Sequence, residues 1–321
     1  LRKLKRLTAN KVKQLGWTPV NINSSEGRTY VITGSTSGIG LETTRLLLAN
    51  NATVIMLNRN ISKSLDIMLL LKQEFGEDVR VSCIPMDLSD LSNVKKAATE
   101  VLQTTPKIDA LICNAAIAQI PKRELTKDGF ESQLGTNHLG HFLLSGMLFR
   151  RIEETSGRIV VVSSLGYNLG LKRIKFEDIN WENNYTPNAA YSQSKLAQMM
   201  FAFELQDRIK SRALKTQIFV CHPGSSATSL MATNGGLVTR FIFWLMTKTP
   251  IVQTAQKGAY PTVMCSTETN LEQRALYGPT GALEFTGPVG KGTLNSHAYD
   301  KISTEKLWKK SEEEINFKWD F

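Results

Sequence analysis

The stretch Thr33-Gly34-Ser35-Thr36-Ser37-Gly38-Ile39-Gly40 is the most informative part of this sequence. It follows a short β-branched run and opens a segment whose apolar residues recur at helical spacing. Glycines at such a strand-to-helix turn let the backbone bend tightly, and the free N–H groups of the first helical turn favour a negatively charged pyrophosphate. The stretch therefore predicts a dinucleotide-binding turn, and a loop that merely reverses the chain is the alternative.

Short β-branched runs and longer helical segments continue to alternate along the chain, without a Pro- or Ser-rich linker or a fixed repeat. This alternation predicts an α/β fold, with a doubly wound, mostly parallel sheet of the Rossmann type and helices on both faces. Strands are predicted near Thr29–Thr33, Thr53–Leu57, Arg80–Pro85, Ala110–Cys113, Arg158–Ser163, Gln217–Cys221 and Ala275–Tyr277. Helices are predicted near Ile39–Asn50, Lys63–Phe75, Leu91–Gln103, Gly129–Glu153, Ala190–Ser211 and Thr254–Thr267.

A single domain is expected over residues 28–321, with a basic arm at residues 1–27 and a lid at about 225–250. The chain has 321 residues, 41% of them hydrophobic and 21% charged, as in a soluble globular protein. Its net charge of +10 is partly local to the arm, so no nucleic-acid partner is expected. The basic residues of the arm are Arg2, Lys3, Lys5, Arg6, Lys11 and Lys13.

The cysteines and the apolar segments bear on location. Four widely spaced cysteines, most of them in apolar runs, indicate reduced thiols and an intracellular protein, either cytoplasmic or peripherally membrane-bound. The sequence contains no run of 18 or more apolar residues, so no transmembrane helix is predicted. Leu1–Leu15 and Leu237–Met246 could contact a bilayer, although a solvated arm and a lid are the preferred interpretation of these two segments.

The ends of the second and third predicted strands bear on the cofactor. Dinucleotide-binding folds usually place an acidic residue at the end of the second strand, whereas this chain has Asn58-Arg59. Because no carboxylate would repel a 2′-phosphate and a guanidinium could pair with it, NADP is favoured, while NAD remains open. Asp87 and Leu88 follow the third strand, where Asp87 could reach the adenine or cap the next helix.

Tyr191 and Lys195 lie four residues apart on a predicted helix and therefore project from the same face. A free phenol titrates near pH ~10, and a nearby ammonium favours the phenolate, so Lys195 is expected to lower the pKa of Tyr191. Ser164, at the end of the fifth strand, could donate a hydrogen bond to a substrate oxygen, with Ser163 as the alternative. His138 and His141 lack a third ligand, so no metal is expected.

Together these motifs resemble the short-chain dehydrogenase/reductase family from about Arg28 to Tyr277, and its retinol dehydrogenase-like subgroup in Leu-Ile-Cys-Asn-Ala-Ala and Thr-Asn-His-Leu-Gly-His. Ala116 and Cys113 depart from the usual Asn-Asn-Ala-Gly of the family, and both departures are familiar in that subgroup. The resemblance implies that Asn114 supports the central strand and that Asn137 holds a relay water leading to Lys195. It also implies cofactor contacts at Ala115, Ala116, Tyr191, Lys195, Pro223, Gly224 and Thr228.

The expected activity is NADP(H)-dependent hydride transfer between nicotinamide and a carbonyl or alcohol carbon, with Tyr191 as acid or base and Ser164 beside it. The expected lid contains several apolar residues that suggest a lipophilic substrate, and core packing of the same residues is the alternative: Leu230, Met231, Phe241, Phe243, Trp244 and Met246. A carbon–carbon double-bond reductase resembling protochlorophyllide reductases, or a non-catalytic NADP-binding regulator, is the alternative. Whether the chain forms a homo-oligomer is left open.

Overall fold

The computed structural model describes residues 16–22, 24–226 and 252–321. Within these residues an eight-stranded sheet has the order β3-β2-β1-β4-β5-β6-β7-β8, and only β8 runs antiparallel to its neighbour. The strands are β1 Thr29–Thr33, β2 Thr53–Asn58, β3 Val81–Pro85, β4 Ala110–Cys113, β5 Arg158–Val162, β6 Gln217–Cys221, β7 Leu276–Pro279 and β8 Val289–Lys291. β1 and β4 are adjacent, and the strand order reverses between them, so the chain segments that follow these two strands lead to opposite sides and leave a crevice beyond the carboxyl ends.

Helices cover both faces of the sheet. The helices used below are α1 Gly38–Leu48, α2 Ile61–Phe75, α3 Leu91–Thr104, α4 Gly140–Glu154, α5 Pro187–Ser211, α6 Ala255–Thr267 and α7 Lys301–Glu314. A short turn, Ser132–Leu134, and a π-helical turn, Gly135–Leu139, lead directly into α4. The predicted doubly wound α/β fold is therefore confirmed.

The two sheet faces each carry one apolar core, because successive side chains of a strand point to opposite faces. Val31 of β1 packs with residues of α3, α4, α5 and α7. Its neighbours Tyr30 and Ile32 pack on the other face with residues of α1, α2 and α6. Both faces being covered explains why the parallel strands are almost continuously apolar.

The sequence analysis missed two elements near the end of the chain, β8 and α7. β8 has only three residues, Val289–Lys291, and two of the three are glycine or lysine, which weakens any strand signal. α7 is strongly polar and buries only Thr304, Leu307, Trp308 and Ser311. Its place in the fold is set by long-range packing, since Trp308 meets Phe142 of α4 with ring centroids 4.9 Å apart.

The segment after α7 completes an aromatic cluster on α4 and α5. Trp319 lies 5.0 Å from Trp308 and 5.6 Å from Phe149, measured between ring centroids. Phe321 packs 5.3 Å from Phe149, and Phe201 of α5 stacks on Trp308 at 5.9 Å. These residues at the end of the sequence are therefore part of the main core, together with α4 and α5.

Several sequence-based expectations fall on residues outside the described ranges. Almost all of the expected lid, and most of the basic arm, are among them. Trp17, at the end of the arm, pairs with Val289 in an isolated antiparallel bridge and so touches the β8 edge of the sheet. Among the described residues, no helix is both long and apolar enough to cross a membrane.

Candidate active site

The glycine-rich turn joins the carboxyl end of β1 to α1. Gly34 and Gly38 adopt positive φ values of 69° and 56°. A Cβ on Gly34 would lie 2.8 Å from the Cα of Ala115, and a Cβ on Gly40 would lie 2.2 Å from the Gly34 carbonyl oxygen. Only glycine fits these positions, and Ser37, the N-cap of α1, makes no side-chain cap hydrogen bond. The first N–H groups of α1 are therefore without a side-chain cap at the sheet edge where anions bind in such folds.

The end of β2 supports this turn. Asn58 is buried, its Oδ1 accepts from the Ser35 N–H at 2.7 Å, and its Nδ2 donates to Ser35 Oγ at 3.2 Å. Asn58 therefore holds the glycine-rich turn in place. Arg59 next to it is exposed, and within the described ranges its guanidinium has no hydrogen bond or ion pair. Thr36, Ser37 and Ile39 are partly buried at the surface of the turn.

Asp87 and Leu88 follow β3. One carboxylate oxygen of Asp87 accepts from both the backbone N–H and the hydroxyl of Ser89, at 2.9 and 2.7 Å. Asp90, rather than Asp87, is the N-cap of α3, where it accepts from the Ser92 and Asn93 N–H groups. Leu88 is buried beneath the start of α4, where a Cβ on Gly140 would lie 2.6 Å from the Leu88 carbonyl oxygen. The helix-cap alternative for Asp87 is therefore wrong.

Asn114 joins the central strands β1 and β4. Its Nδ2 donates to the carbonyl oxygens of Thr33 and Gly34, both at 2.9 Å. The backbone N–H groups of Asn114 and Ala115 donate to Thr33 Oγ1 at 3.0 and 2.9 Å. Ala115 itself packs against Gly34, and Ala116 is partly buried beside it. These contacts fix the end of β4 against the glycine-rich turn.

Thr33 and His141 form a buried link that the sequence analysis did not identify. Since Thr33 Oγ1 already accepts two N–H groups, its hydrogen is available for His141 Nε2, 2.9 Å away. His141 Nδ1 then donates to the carbonyl oxygen of Asn137 at 2.9 Å. Burial lowers the pKa of His141 to about 4, so the ring is neutral at pH 7. The two residues thus tie the turn to the π-helical segment, and no local spacing in the sequence indicates this pairing.

Asn137 lies in the π-helical turn and is fully buried. Its Oδ1 accepts from the Ile117 N–H at 2.8 Å, and its Nδ2 donates to the Ile117 carbonyl oxygen at 2.9 Å. The same Nδ2 donates to Ser194 Oγ at 2.9 Å, and Ser194 donates in turn to the Tyr191 carbonyl oxygen. Asn137 therefore connects the loop after β4 to the part of α5 that carries Tyr191 and Lys195.

Tyr191 and Lys195 lie on one face of α5, which begins with Thr186 as N-cap and Pro187 in its first turn. The Lys195 Nζ is 5.9 Å from the centroid of the Tyr191 ring. Burial raises the pKa of Tyr191, and a hydrogen bond with the Ser164 side chain partly opposes that rise. The expected lowering of this pKa by Lys195 is therefore wrong for the chain without ligands, because burial dominates. Burial also lowers the pKa of Lys195 to about 7.

The two serines at the end of β5 have different partners. Ser163 is buried, and its hydroxyl donates to the Lys195 carbonyl oxygen at 3.2 Å. Ser164 instead lies beside the Tyr191 side chain, whose pKa it lowers, and its Oγ accepts from the Gly166 N–H at 3.0 Å. Ser164 is thus the hydroxyl that lies with Tyr191, and Ser163 is committed to the backbone of α5.

Pro223 and Gly224 follow β6 at the same sheet edge. The Pro223 carbonyl oxygen accepts from Ser226 Oγ and Gln253 Nε2, both at 2.7 Å. Gly224 has a φ of 64°, and a Cβ there would lie 2.3 Å from the Phe285 carbonyl oxygen. Gln253 was not identified from the sequence, since nothing in the spacing relates it to Pro223. Thr228, expected to bind the nicotinamide carboxamide, lies outside the described residues.

A comparison with protein families agrees with this arrangement. The profile of the short chain dehydrogenase family matches residues 28–176. Relatives that are more than 30% identical extend the match over most of the chain. The chain therefore belongs to the short-chain dehydrogenase family, and it is an oxidoreductase that acts on an alcohol or carbonyl group.

Within that family, the chain is similar to retinol dehydrogenases. Retinol dehydrogenase 14 of Mus musculus is 35% identical over 301 residues, covering 89% of this chain and 85% of the relative. Retinol dehydrogenase 12 of Homo sapiens is 31% identical over 295 residues, covering 92% and 88%. A crystal structure of an uncharacterized protein from Mycobacterium Paratuberculosis superimposes with a TM-score of 0.77 at 34% identity, covering 95% of this chain and all of that one.

A more distant structure has the same fold. L-sorbose reductase from Gluconobacter frateurii, solved with NADPH and L-sorbose, has a TM-score of 0.59 at 21% identity. The superposition covers 76% of this chain and 91% of that one. At this identity the likeness concerns the fold alone.

Proposed function

We propose that this protein is an NADP(H)-dependent oxidoreductase that moves a hydride between nicotinamide and a carbonyl or alcohol carbon of a lipophilic substrate. The observation that carries the proposal is the convergence of Ser164, Tyr191 and Lys195 at the carboxyl edge of the sheet. The Ser164 side chain lies close enough to the Tyr191 phenol to lower its pKa, and the Lys195 Nζ lies 5.9 Å from its ring centroid. Reduction of a carbonyl group uses a proton donor for its oxygen, and a second hydroxyl can stabilise the developing negative charge on the same atom.

The glycine-rich turn suits a dinucleotide. Its glycines allow a tight turn, since Cβ atoms on Gly34 and Gly40 would collide with Ala115 and the Gly34 carbonyl. Uncapped N–H groups at the start of α1 would bind the phosphate oxygens. When bound, the nicotinamide would supply or accept the hydride, and it would do so beyond the carboxyl ends of β1 and β4.

Tyr191 is proposed to move the proton. In reduction its hydroxyl donates a proton to the substrate oxygen as that oxygen becomes an alkoxide, while the Ser164 hydroxyl donates a hydrogen bond to the same atom. In oxidation the Tyr191 oxygen removes the alcohol proton. Burial opposes the phenolate, so the ammonium form of Lys195 is needed to stabilise it. Asn137 would keep Lys195 and Tyr191 in register through Ser194.

Replacing Tyr191 by phenylalanine tests this role. Tyr191→Phe keeps the ring and removes the proton donor, so we expect turnover to fall by at least about 100-fold while NADPH affinity is retained. Tyr299→Phe, the same change in a tyrosine that packs on Phe203 away from the site, is the matched control. Turnover is followed by the absorbance of the reduced cofactor, and affinity by its fluorescence. A Tyr191→Phe rate near that of the wild type would remove Tyr191 from the mechanism.

Arg59 supports the preference for NADP. It is exposed beside the buried Asn58, and its guanidinium has no competing carboxylate within the described residues. Arg59→Ala should weaken NADPH binding about tenfold or more and leave NADH binding nearly unchanged, because only NADPH has the 2′-phosphate. Dissociation constants for both nucleotides, measured by titration, check this. An equal loss for the two would remove Arg59 from phosphate recognition.

The lipophilic substrate is supported by two observations. The relatives named above are retinol dehydrogenases. In addition, Leu169 and Leu171, in the turn that follows Ser164, are exposed to 70% and 45%. A panel of lipophilic ketones, aldehydes and alcohols, assayed with each nucleotide and beside a sugar series, tests the class. Turnover of sugars alone would exclude it, and reduction of an enone double bond alone would favour the double-bond reductase alternative.

A further inference from the structure

Lys195 has two hydrogen-bond acceptors besides its proximity to Tyr191. Its Nζ donates to the Val162 carbonyl oxygen at 3.1 Å and to Gln198 Oε1 at 2.9 Å. Both side chains are buried, with 2% of Lys195 and 1% of Gln198 exposed. Gln198 follows Lys195 by three residues on α5, so Tyr191, Lys195 and Gln198 share one face of the helix. Gln198 thus provides a side-chain acceptor for the ammonium.

The orientation of the Gln198 amide follows from the chemistry of its partner. An ammonium can only donate, so the atom that faces Lys195 must be the amide oxygen. This leaves the Gln198 Nε2 buried, and it has no hydrogen-bond partner in the part of the chain that the structure describes. An unpaired buried NH2 group lowers stability, and the neighbouring Met199 and Met200 fill the same core without that cost. The amide is therefore explained by its contact with Lys195 better than by packing.

We propose that Gln198 is a positioning residue that holds the Lys195 ammonium against Tyr191 and keeps it charged. This inference rests on the proposed function, in which Tyr191 needs a charged Lys195. Two of the three N–H donors of the ammonium are bound by Val162 and Gln198, which restricts the rotation of the long side chain and leaves one donor for Tyr191 or a ligand.

The groups around Lys195 leave this task to Gln198. Tyr191 faces it from α5, Cys221 from β6, and His141 from α4. His141 is neutral at pH 7, and no carboxylate pairs with Lys195 within the described ranges. Burial, the largest influence, lowers the pKa of Lys195 to about 7. The charged and neutral forms are therefore comparably populated near neutrality, and the loss or gain of one acceptor changes the charged fraction.

Two substitutions at Gln198 should shift the titration midpoint of the Lys195 ammonium in opposite directions. Gln198→Leu removes the acceptor, so Lys195 should lose its proton at lower pH, by about 0.5 to 1 unit. Gln198→Glu places a carboxylate at the same position, so the midpoint should rise by about 1 unit or more. Gln206→Leu is the matched control, because Gln206 lies on the same helix and donates to the Ile218 carbonyl instead. It should leave the Lys195 midpoint unchanged.

The midpoint is read directly by NMR on the full chain with 13C at the lysine Cε, without cofactor. The Lys195 signal is identified by its disappearance in Lys195→Met. Opposite displacements in Gln198→Leu and Gln198→Glu support the inference, as does a melting temperature of Gln198→Leu at or above that of the wild type. Equal midpoints in the wild type and both variants would overturn it. So would a Gln198→Leu variant that melts lower and titrates unchanged, because that is the behaviour of a packing residue.

The pH profile of turnover separates this inference from the proposed function. If Lys195 must be charged, kcat should begin to fall at lower pH in Gln198→Leu and at higher pH in Gln198→Glu than in the wild type. These shifts should match the titration midpoints measured by NMR. Loss of turnover in Tyr191→Phe together with unmoved midpoints would reject the role of Gln198 alone. Full turnover in Tyr191→Phe would reject the proposed function, and the midpoints would still report whether Gln198 controls the charge of Lys195.

Discussion

Gly166 provides a steric test of the position of Tyr191. Its backbone is fixed on both sides, since its N–H donates to Ser164 Oγ at 3.0 Å and its carbonyl accepts from Ser192 Oγ at 2.8 Å. A Cβ on Gly166 would lie 3.0 Å from Tyr191 Cε1 and 3.2 Å from Ser164 Oγ. Gly166 has no positive φ, so alanine is compatible with its backbone conformation. Gly166→Ala should therefore move the phenol ring and leave the fold intact.

The expected effect follows from the contact distance. Carbon atoms pack best at about 3.5 to 4.0 Å, so the ring must move away by about 0.5 Å. A misplacement of about 1 Å in an active site can cost about 100-fold in rate, so half of that corresponds to roughly tenfold. In free energy of activation, this is about 1.4 kcal/mol. The added Cβ also crowds Ser164 Oγ, at 3.2 Å, which makes roughly tenfold a lower estimate.

The assay compares kcat/KM, NADPH affinity and melting temperature for the wild type and Gly166→Ala. Asn168→Ala, two residues further along the same turn and partly buried, is the control for a general loosening of this turn. We expect kcat/KM to fall in Gly166→Ala alone, with affinity and melting temperature unchanged in both variants. A stable Gly166→Ala protein with the rate of the wild type would refute the argument that the position of Tyr191 limits catalysis.

Two further predictions concern stability. Trp308→Ala should lower the free energy of unfolding by about 3–5 kcal/mol, because Trp308 is fully buried. Ile302→Ala, on the same helix and 79% exposed, is the control and should change it by less than about 0.5 kcal/mol. Urea denaturation measures both changes. The His222 ring, 3.6 Å from the carboxylate, and a hydrogen bond from the Thr293 N–H lower the pKa of Glu284 to about 2. Its carboxylate therefore stabilises the fold above about pH 4.5, and this stabilisation is lost as the pH falls towards 2. In Glu284→Gln the loss of stability at low pH should be smaller than in the wild type. Equal urea midpoints at about pH 6 and pH 3 in the wild type would contradict this prediction.

Local sequence signals were sufficient for the sheet and the helices that flank it. The glycine-rich turn and the alternating periods depend on residues that are neighbours in the chain, so the order of elements could be predicted as far as β7. The same holds for Tyr191 and Lys195, because residues four apart on a helix share a face wherever that helix lies. β8 and α7 lacked such signals, and the structure places them through contacts with distant strands and helices.

The supporting contacts of the site could not be predicted. The side chain of Asn58 holds Ser35, 23 positions earlier in the sequence, and no local spacing indicates this contact. Thr33 and His141 are 108 positions apart, and their hydrogen bond depends on how α4 crosses β1. The predicted lowering of the Tyr191 pKa was wrong for a related reason. Sequence spacing shows which charge is near, but it does not show how much water is removed by burial.

The aromatic cluster on α4 and α5 has a consequence for biosynthesis. Phe142 and Phe149 are made well before Trp308, Trp319 and Phe321, which cover them. Until residues 301–321 emerge from the ribosome, the nascent sheet carries an uncovered aromatic surface of the kind that promotes aggregation. A stop codon before residue 301 would leave this surface uncovered for good, and such chains would be removed by proteolysis instead of acting as shortened enzymes.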